Sequence, residues 1–129
     1  MDTINFSPPD PGKKGGITFI RTAMMDTLKD FYINEVGCEM WLEQGGCFIL
    51  KHGNQLFGFC EAQEPELDGL LTFFYTNTDM VDYMFQKFED RADMPPMKNT
   101  KYRIYHFFAH DPEGRRIEFQ VFLHELPEF

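Results

Sequence analysis

Glu118 is the lone carboxylate in the apolar run "RRIEFQVF", and His106 is the imidazole inside "RIYHFFA"; the tight turn "DPEG" lies between them. A carboxylate and an imidazole on neighbouring strands support three kinds of chemistry. With a third donor they hold a divalent metal. Without one they form an acid/base pair. In the plainest case the histidine is hydrogen-bonded in a polar corner of a pocket. Strand alternation puts Ile117, Phe119 and Val121 on one face and Glu118, Gln120 and Phe122 on the other. The same rule puts His106, Phe108 and His110 together. On an earlier strand, Ile17, Phe19 and Arg21 share a face. Arg21 has the fork geometry to hold an anionic group, or it reaches solvent or pairs with a nearby carboxylate. Phe19, Phe74, Phe108 and Phe122 are candidate walls for an aromatic ligand, or core side chains. His52 and His124 sit at strand ends and are expected to be solvated, and Trp41 to lie at a cavity rim or a subunit contact.

The elements that must position these residues follow from periodicity. Met1 to Gly16, with three prolines and three glycines, is expected to be a flexible arm. The remaining residues, 17–129, are expected to form a single domain. "ITFIRT" (Ile17–Thr22) reads as a strand. Met25, Leu28, Tyr32 and Val36 fall one turn apart on a helix that Gly37 ends. Cys38–Glu43, Cys47–His52 and Leu56–Glu61 read as strands joined by tight turns. After the acidic connector Gln63–Gly69 the order recurs: strand Leu70–Thr76, a helix carrying Val81, Met84, Phe85 and Phe88, a short edge strand at Met97–Thr100, and strands Lys101–His110 and Arg115–His124. Two βαβββ modules, at about 17–62 and 69–124, form an internal repeat, and neither closes a core alone. The fold class is α+β, with the modules building a cup-shaped mixed sheet and the helices outside. The inner face of the cup is where a small ligand binds.

Composition narrows the partners. The net charge of -9 disfavours nucleic acid. No run is apolar enough for a membrane span or a signal peptide, which gives a cytoplasmic expectation. Cys38, Cys47 and Cys60 are odd in number and lack a C-x-x-C pair, so buried free thiols are expected. No phosphate loop, G-x-S-x-G elbow or H-E-x-x-H motif is present.

The chain resembles the vicinal oxygen chelate superfamily, which includes glyoxalase I, extradiol dioxygenases and bleomycin resistance proteins. Three segments carry the resemblance: "ITFIRTAMMDTLKDFYINEVG", "GLLTFFYTNTDMVDYMFQKF" and the closing "DPEGRRIEF". It implies that a carboxylate at Glu118 is a metal ligand in the metal-dependent members. It also implies that the other ligand positions fall on Ile17, on Leu70 and near Gly58 or Cys60. Ile17 and Leu70 cannot ligate, so no metal site of the usual kind is expected. In glyoxalase I an arginine at the place of Arg21 helps hold a substrate carboxylate. Two functions from different classes follow. The first is a metal-free protein that binds a planar, aromatic or cationic small molecule, of the antibiotic- or toxin-sequestering kind, as a homodimer. It uses Phe19, Arg21, Phe74, His106, Phe108, Glu118 and Gln120. The alternative is a lyase, isomerase or dioxygenase with Glu118 and His106 as catalytic residues, either metal-free or with a divalent metal relocated to that pair. An accessory domain acting through protein contacts is a third possibility.

Overall fold

The computed structural model describes residues 7–129. Of the expected arm, residues 1–6 lie outside the described residues, and 7–17 carry no strand or helix. The elements are β1 (Thr18–Thr22), α1 (Met25–Asp30), β2 (Glu39–Gln44), β3 (Cys47–His52), β4 (Gln55–Glu61), β5 (Leu71–Tyr75), α2 (Thr78–Phe88), β6 (Met97–Asn99), β7 (Ile104–His110) and β8 (Arg116–Phe122). Strands run β1-β4-β3-β2 in one sheet and β5-β8-β7-β6 in the other. In each sheet the first strand pairs parallel with the last and the other pairs are antiparallel. The repeat read from the sequence is therefore real, and the α+β class with it. The cup is made in two four-stranded halves.

The helix-facing sides of both sheets share one core. Phe48, Leu50, Phe57 and Phe59 of the first sheet join Phe73, Phe107, Ile117 and Phe119 of the second, with Leu28 and Tyr32 from the first helix and Val81, Met84 and Phe88 from α2. This absorbs many of the phenylalanines. Asn77 caps α2 by accepting a hydrogen bond from the Met80 amide. Two differences from the periodicity reading have local causes. After Asp30 the first helix widens into a π turn over Phe31–Val36, ended by Gly37 at φ 96°. Phe31 and Tyr32, at the start of this turn, are both buried in the core. β7 starts at Ile104 rather than Lys101, because Arg103 takes φ 52° and breaks the extended run.

The closing turn holds the modules together. Arg115 is 1% exposed. Its guanidinium donates to Asp111 Oδ2 at 2.7 Å, to Glu113 Oε1 at 2.9 Å and to the Glu66 carbonyl at 2.7 Å, and it lies 5.1 Å from the Phe59 ring centre. Asp111 Oδ2 also accepts the Tyr32 hydroxyl at 2.7 Å, while Oδ1 accepts the amides of Glu113 and Arg115. Glu113 reaches Thr22 Oγ1 and the Ala23 amide of the first module. Burial alone would raise the Glu113 carboxyl, but the donors Thr22, Ala23 and Arg115 outweigh it and hold the group below its ordinary value of 4.5.

The cysteine expectation is corrected. Cys47 and Cys60 are joined by a disulfide, and Cys38 alone is free and buried. The two partners stand directly opposite in the β3–β4 register, a pairing that composition does not reveal. Burial pushes the Cys38 thiol up to about 12, which disfavours the reactive thiolate form. No helix among the described residues is long and apolar enough to cross a membrane.

Breaking one side of a buried ion pair typically costs about 3–5 kcal/mol. Arg115→Met should lose that much in urea unfolding, whereas Arg116→Met, at a half-exposed side chain, should lose less than about 1 kcal/mol. Equal losses would show that Arg115 is not what joins the modules.

Candidate functional site

The outer face of the second sheet carries the chemistry. Register places Thr72 on β5 and Phe108 on β7 to either side of Glu118 on β8, with His106 diagonally across, opposite Gln120. Glu118 Oε1 accepts the Thr72 hydroxyl at 2.8 Å, and Oε2 meets His106 Nδ1 at 2.7 Å. Both side chains of the pair are 8% exposed. A carboxylate only accepts, so Nδ1 carries the proton in this contact, and Nε2 has no hydrogen-bond partner among the described residues. Phe108 fixes the ring further by an edge contact at 5.0 Å.

Above the pair is a cavity of about 360 Å³, lined by Leu70, Asn99, Tyr102, Ile104, Phe108 and Phe122 besides His106, Glu118 and Gln120. A second, of about 590 Å³, lies beside it between the β3–β4 turn and β5, lined by His52, Asn54, Gln55, Thr72, Phe74 and Phe129 among others. Gln120 and Phe122 line both.

Of the candidates, His106, Phe108, Glu118 and Gln120 come together in the first cavity, and Phe74 lines the second. Phe19 and Arg21 line neither. Phe19 lies over Gly58 on the first sheet, where an added Cβ would come within 2.8 Å of its ring. The Arg21 side chain is 71% exposed, beside Glu66. His110 bonds Asp93 outside the cavities, and exposed Trp41 lines neither. The His52 expectation is corrected. Its ring is half-buried, 4.9 Å from Phe73 and 5.8 Å from Tyr75, and burial lowers its pKa below the ordinary 6.5. Sequence reasoning missed Thr72 as a partner of Glu118. The signal was its alternation with Phe74 on β5.

The metal implied by the resemblance does not fit these residues. Both Glu118 oxygens are engaged, Gly58 has no side chain, and Cys60 is in the disulfide. Among the described residues no group of three His, Cys, Asp or Glu side chains is placed to hold an ion.

No family model matches the chain, and no curated protein does. Solved structures do. A lactoylglutathione lyase from Agrobacterium tumefaciens is similar over 87% of this chain and 96% of its own, at 20% identity and a TM-score of 0.69. A glyoxalase/bleomycin resistance protein/dioxygenase from Nocardioides is similar over 98% and 93%, at 12% identity and 0.69. The fold is that of the glyoxalase/bleomycin resistance proteins. An integron cassette protein from the mobile metagenome of a sewage outfall at Halifax Harbour shares this glyoxalase-type architecture over 81% and 95%, at 14% identity and 0.71. The resemblance of "DPEGRRIEF" to the superfamily's closing segment is thus matched by the three-dimensional fold.

Two outcomes follow. Thr72→Val leaves Oε1 without its donor and should cost about 1–3 kcal/mol in chemical denaturation. For His52 the unfolded chain takes up the proton first as pH falls. Its contribution is fully present above pH 6.5 and is lost as pH drops through the lower folded value. Melting temperatures between pH 7.5 and 5 should therefore fall less in His52→Phe than in the parent.

Proposed function

We propose that the chain is a metal-free small-molecule-binding protein that takes a planar cationic aromatic compound into the cavity over Glu118. The observation that supports this most is the Thr72–Glu118–His106 arrangement. The Thr72 hydroxyl and the His106 ring hold the Glu118 carboxyl in one orientation, in a cavity whose walls are otherwise mostly apolar. A cation entering there replaces its water with a carboxylate and with the Phe122 ring face. A sequestering role, against an antibiotic or toxin, is the physiological form of this reading. The protein acts as a homodimer in it, because Phe19, Met40, Trp41 and Leu42 leave large apolar surface exposed on the first sheet. In a reducing cytoplasm Cys47 and Cys60 would face each other as thiols. The cavity lies on the other sheet and is not built from them.

One observation favours a second reading as a lyase or isomerase. His106 lines the cavity while Glu118 holds its Nδ1, an arrangement that suits a general base acting through the other ring nitrogen.

Elemental analysis of untagged protein, after incubation with zinc, iron, manganese and nickel and desalting, should find no stoichiometric metal. Titration calorimetry should rank N-methylquinolinium above neutral 2-naphthol and anionic 2-naphthoate. Glu118→Gln should keep the fold and weaken the cation about tenfold, or ~1.4 kcal/mol. Stoichiometric metal lost in Glu118→Ala and His106→Ala, or a preference for the anion, would overturn the reading.

A further inference from the structure

Gln120 is 7% exposed, yet its side-chain amide has no hydrogen-bond partner among the described residues, and it stands at the wall shared by the two cavities. The amide keeps access to water, and a bound molecule that displaces this water has to pair with it, since an amide left unpaired on binding costs about 1–3 kcal/mol. The amide offers both a donor and an acceptor. Around it, the polar side chains of the second cavity are uncharged: the amides of Asn54 and Gln55, the Thr72 hydroxyl and the His52 ring, over Phe73 and Phe74. The side chains of Asn54 and Gln55 also have no partners among the described residues. Burial keeps His52 neutral to lower pH than an exposed histidine.

We propose that the two cavities are lobes of one site, and that the ligand carries an uncharged, hydroxyl- or amide-bearing group that fills the second lobe and pairs with Gln120. This deepens the binding reading above and rests on it. The first lobe takes the planar cationic part, and the second selects what is attached to it. Gln120 and Phe122 line both cavities, so a ligand reaching from one to the other passes these two side chains. A charged substituent is rejected by the second lobe, because no lining side chain there compensates the lost hydration of an ion. Hydroxyls and amides exchange water for the three free side-chain amides at little cost. Each cavity falls within or near the ordinary range of ligand-sized pockets, about 300–1,000 Å³.

The test is calorimetry on the full chain with three probes: 6-hydroxy-N-methylquinolinium, its 6-O-β-D-glucoside and its 6-O-phosphate. The glucoside should bind about tenfold more tightly than the parent probe, and the phosphate more weakly than either. In Gln55→Leu the ratio of glucoside to parent affinity should collapse toward one. Should that variant not fold, His52→Leu on the same wall is read in the same way. Side-chain amide resonances of Gln55 and Gln120 should both shift with the glucoside, and only Gln120 with the parent. Equal affinities for glucoside and parent, or the phosphate binding best, would overturn the two-lobed site and leave the cation-binding reading standing. No binding of the parent or the glucoside would overturn both.

Discussion

A guanidinium sealed between two sheets sets the frame of this molecule. Arg115 is held by Asp111, Glu113 and the Glu66 carbonyl, and Asp111 is in turn held by the Tyr32 hydroxyl. Desolvation works against the charge, yet Glu113 and Asp111 outweigh it and raise the Arg115 pKa above its ordinary value. A buried charge with this many partners tolerates few arrangements, so it fixes one geometry rather than adding much net stability. That geometry sets where β8 begins. One residue after the clamp the strand starts, and its alternation sends Glu118 and Gln120 outward while Ile117 and Phe119 enter the core.

The site is therefore the outer side of a strand whose inner side is the core. Its character comes from three neighbours of Glu118. Thr72 and His106 each take one carboxylate oxygen, and Phe108 packs against the imidazole. Arg116, on the same face, stacks on Phe108 at 3.9 Å and extends toward Asp93. A carboxylate so placed is held in one orientation with most of its surface enclosed. Fold-level likeness cannot supply the chemistry here, since one architecture hosts many reactions.

The repeat, both helices and the outward face of β8 were legible in the sequence, because each rests on local periodicity. So was the meeting of His106 with Glu118, which alternation and a short turn bring together. Long-range partners were not legible. Nothing in "DPEGRR" distinguishes Arg115, which is buried, from Arg116, which is half exposed. Nothing in three scattered cysteines reveals that Cys47 and Cys60 stand opposite each other. His52 looked like a solvated strand end, because Phe73 and Tyr75 come from the other module. The π turn was hidden because the apolar spacing of Leu28, Tyr32 and Val36 fits a regular helix as well.

The central claim is that Glu118 serves to orient a ring nitrogen and carry charge in a metal-free pocket. Long-range proton–nitrogen correlation on the His106 side chain in labelled protein at neutral pH tests it most directly, with and without an equivalent of zinc. The account predicts the tautomer protonated at Nδ1, with Nε2 bare and both resonances unmoved by zinc. A proton on Nε2 with Nδ1 bare, or a stoichiometric shift of either nitrogen on adding zinc, would contradict it.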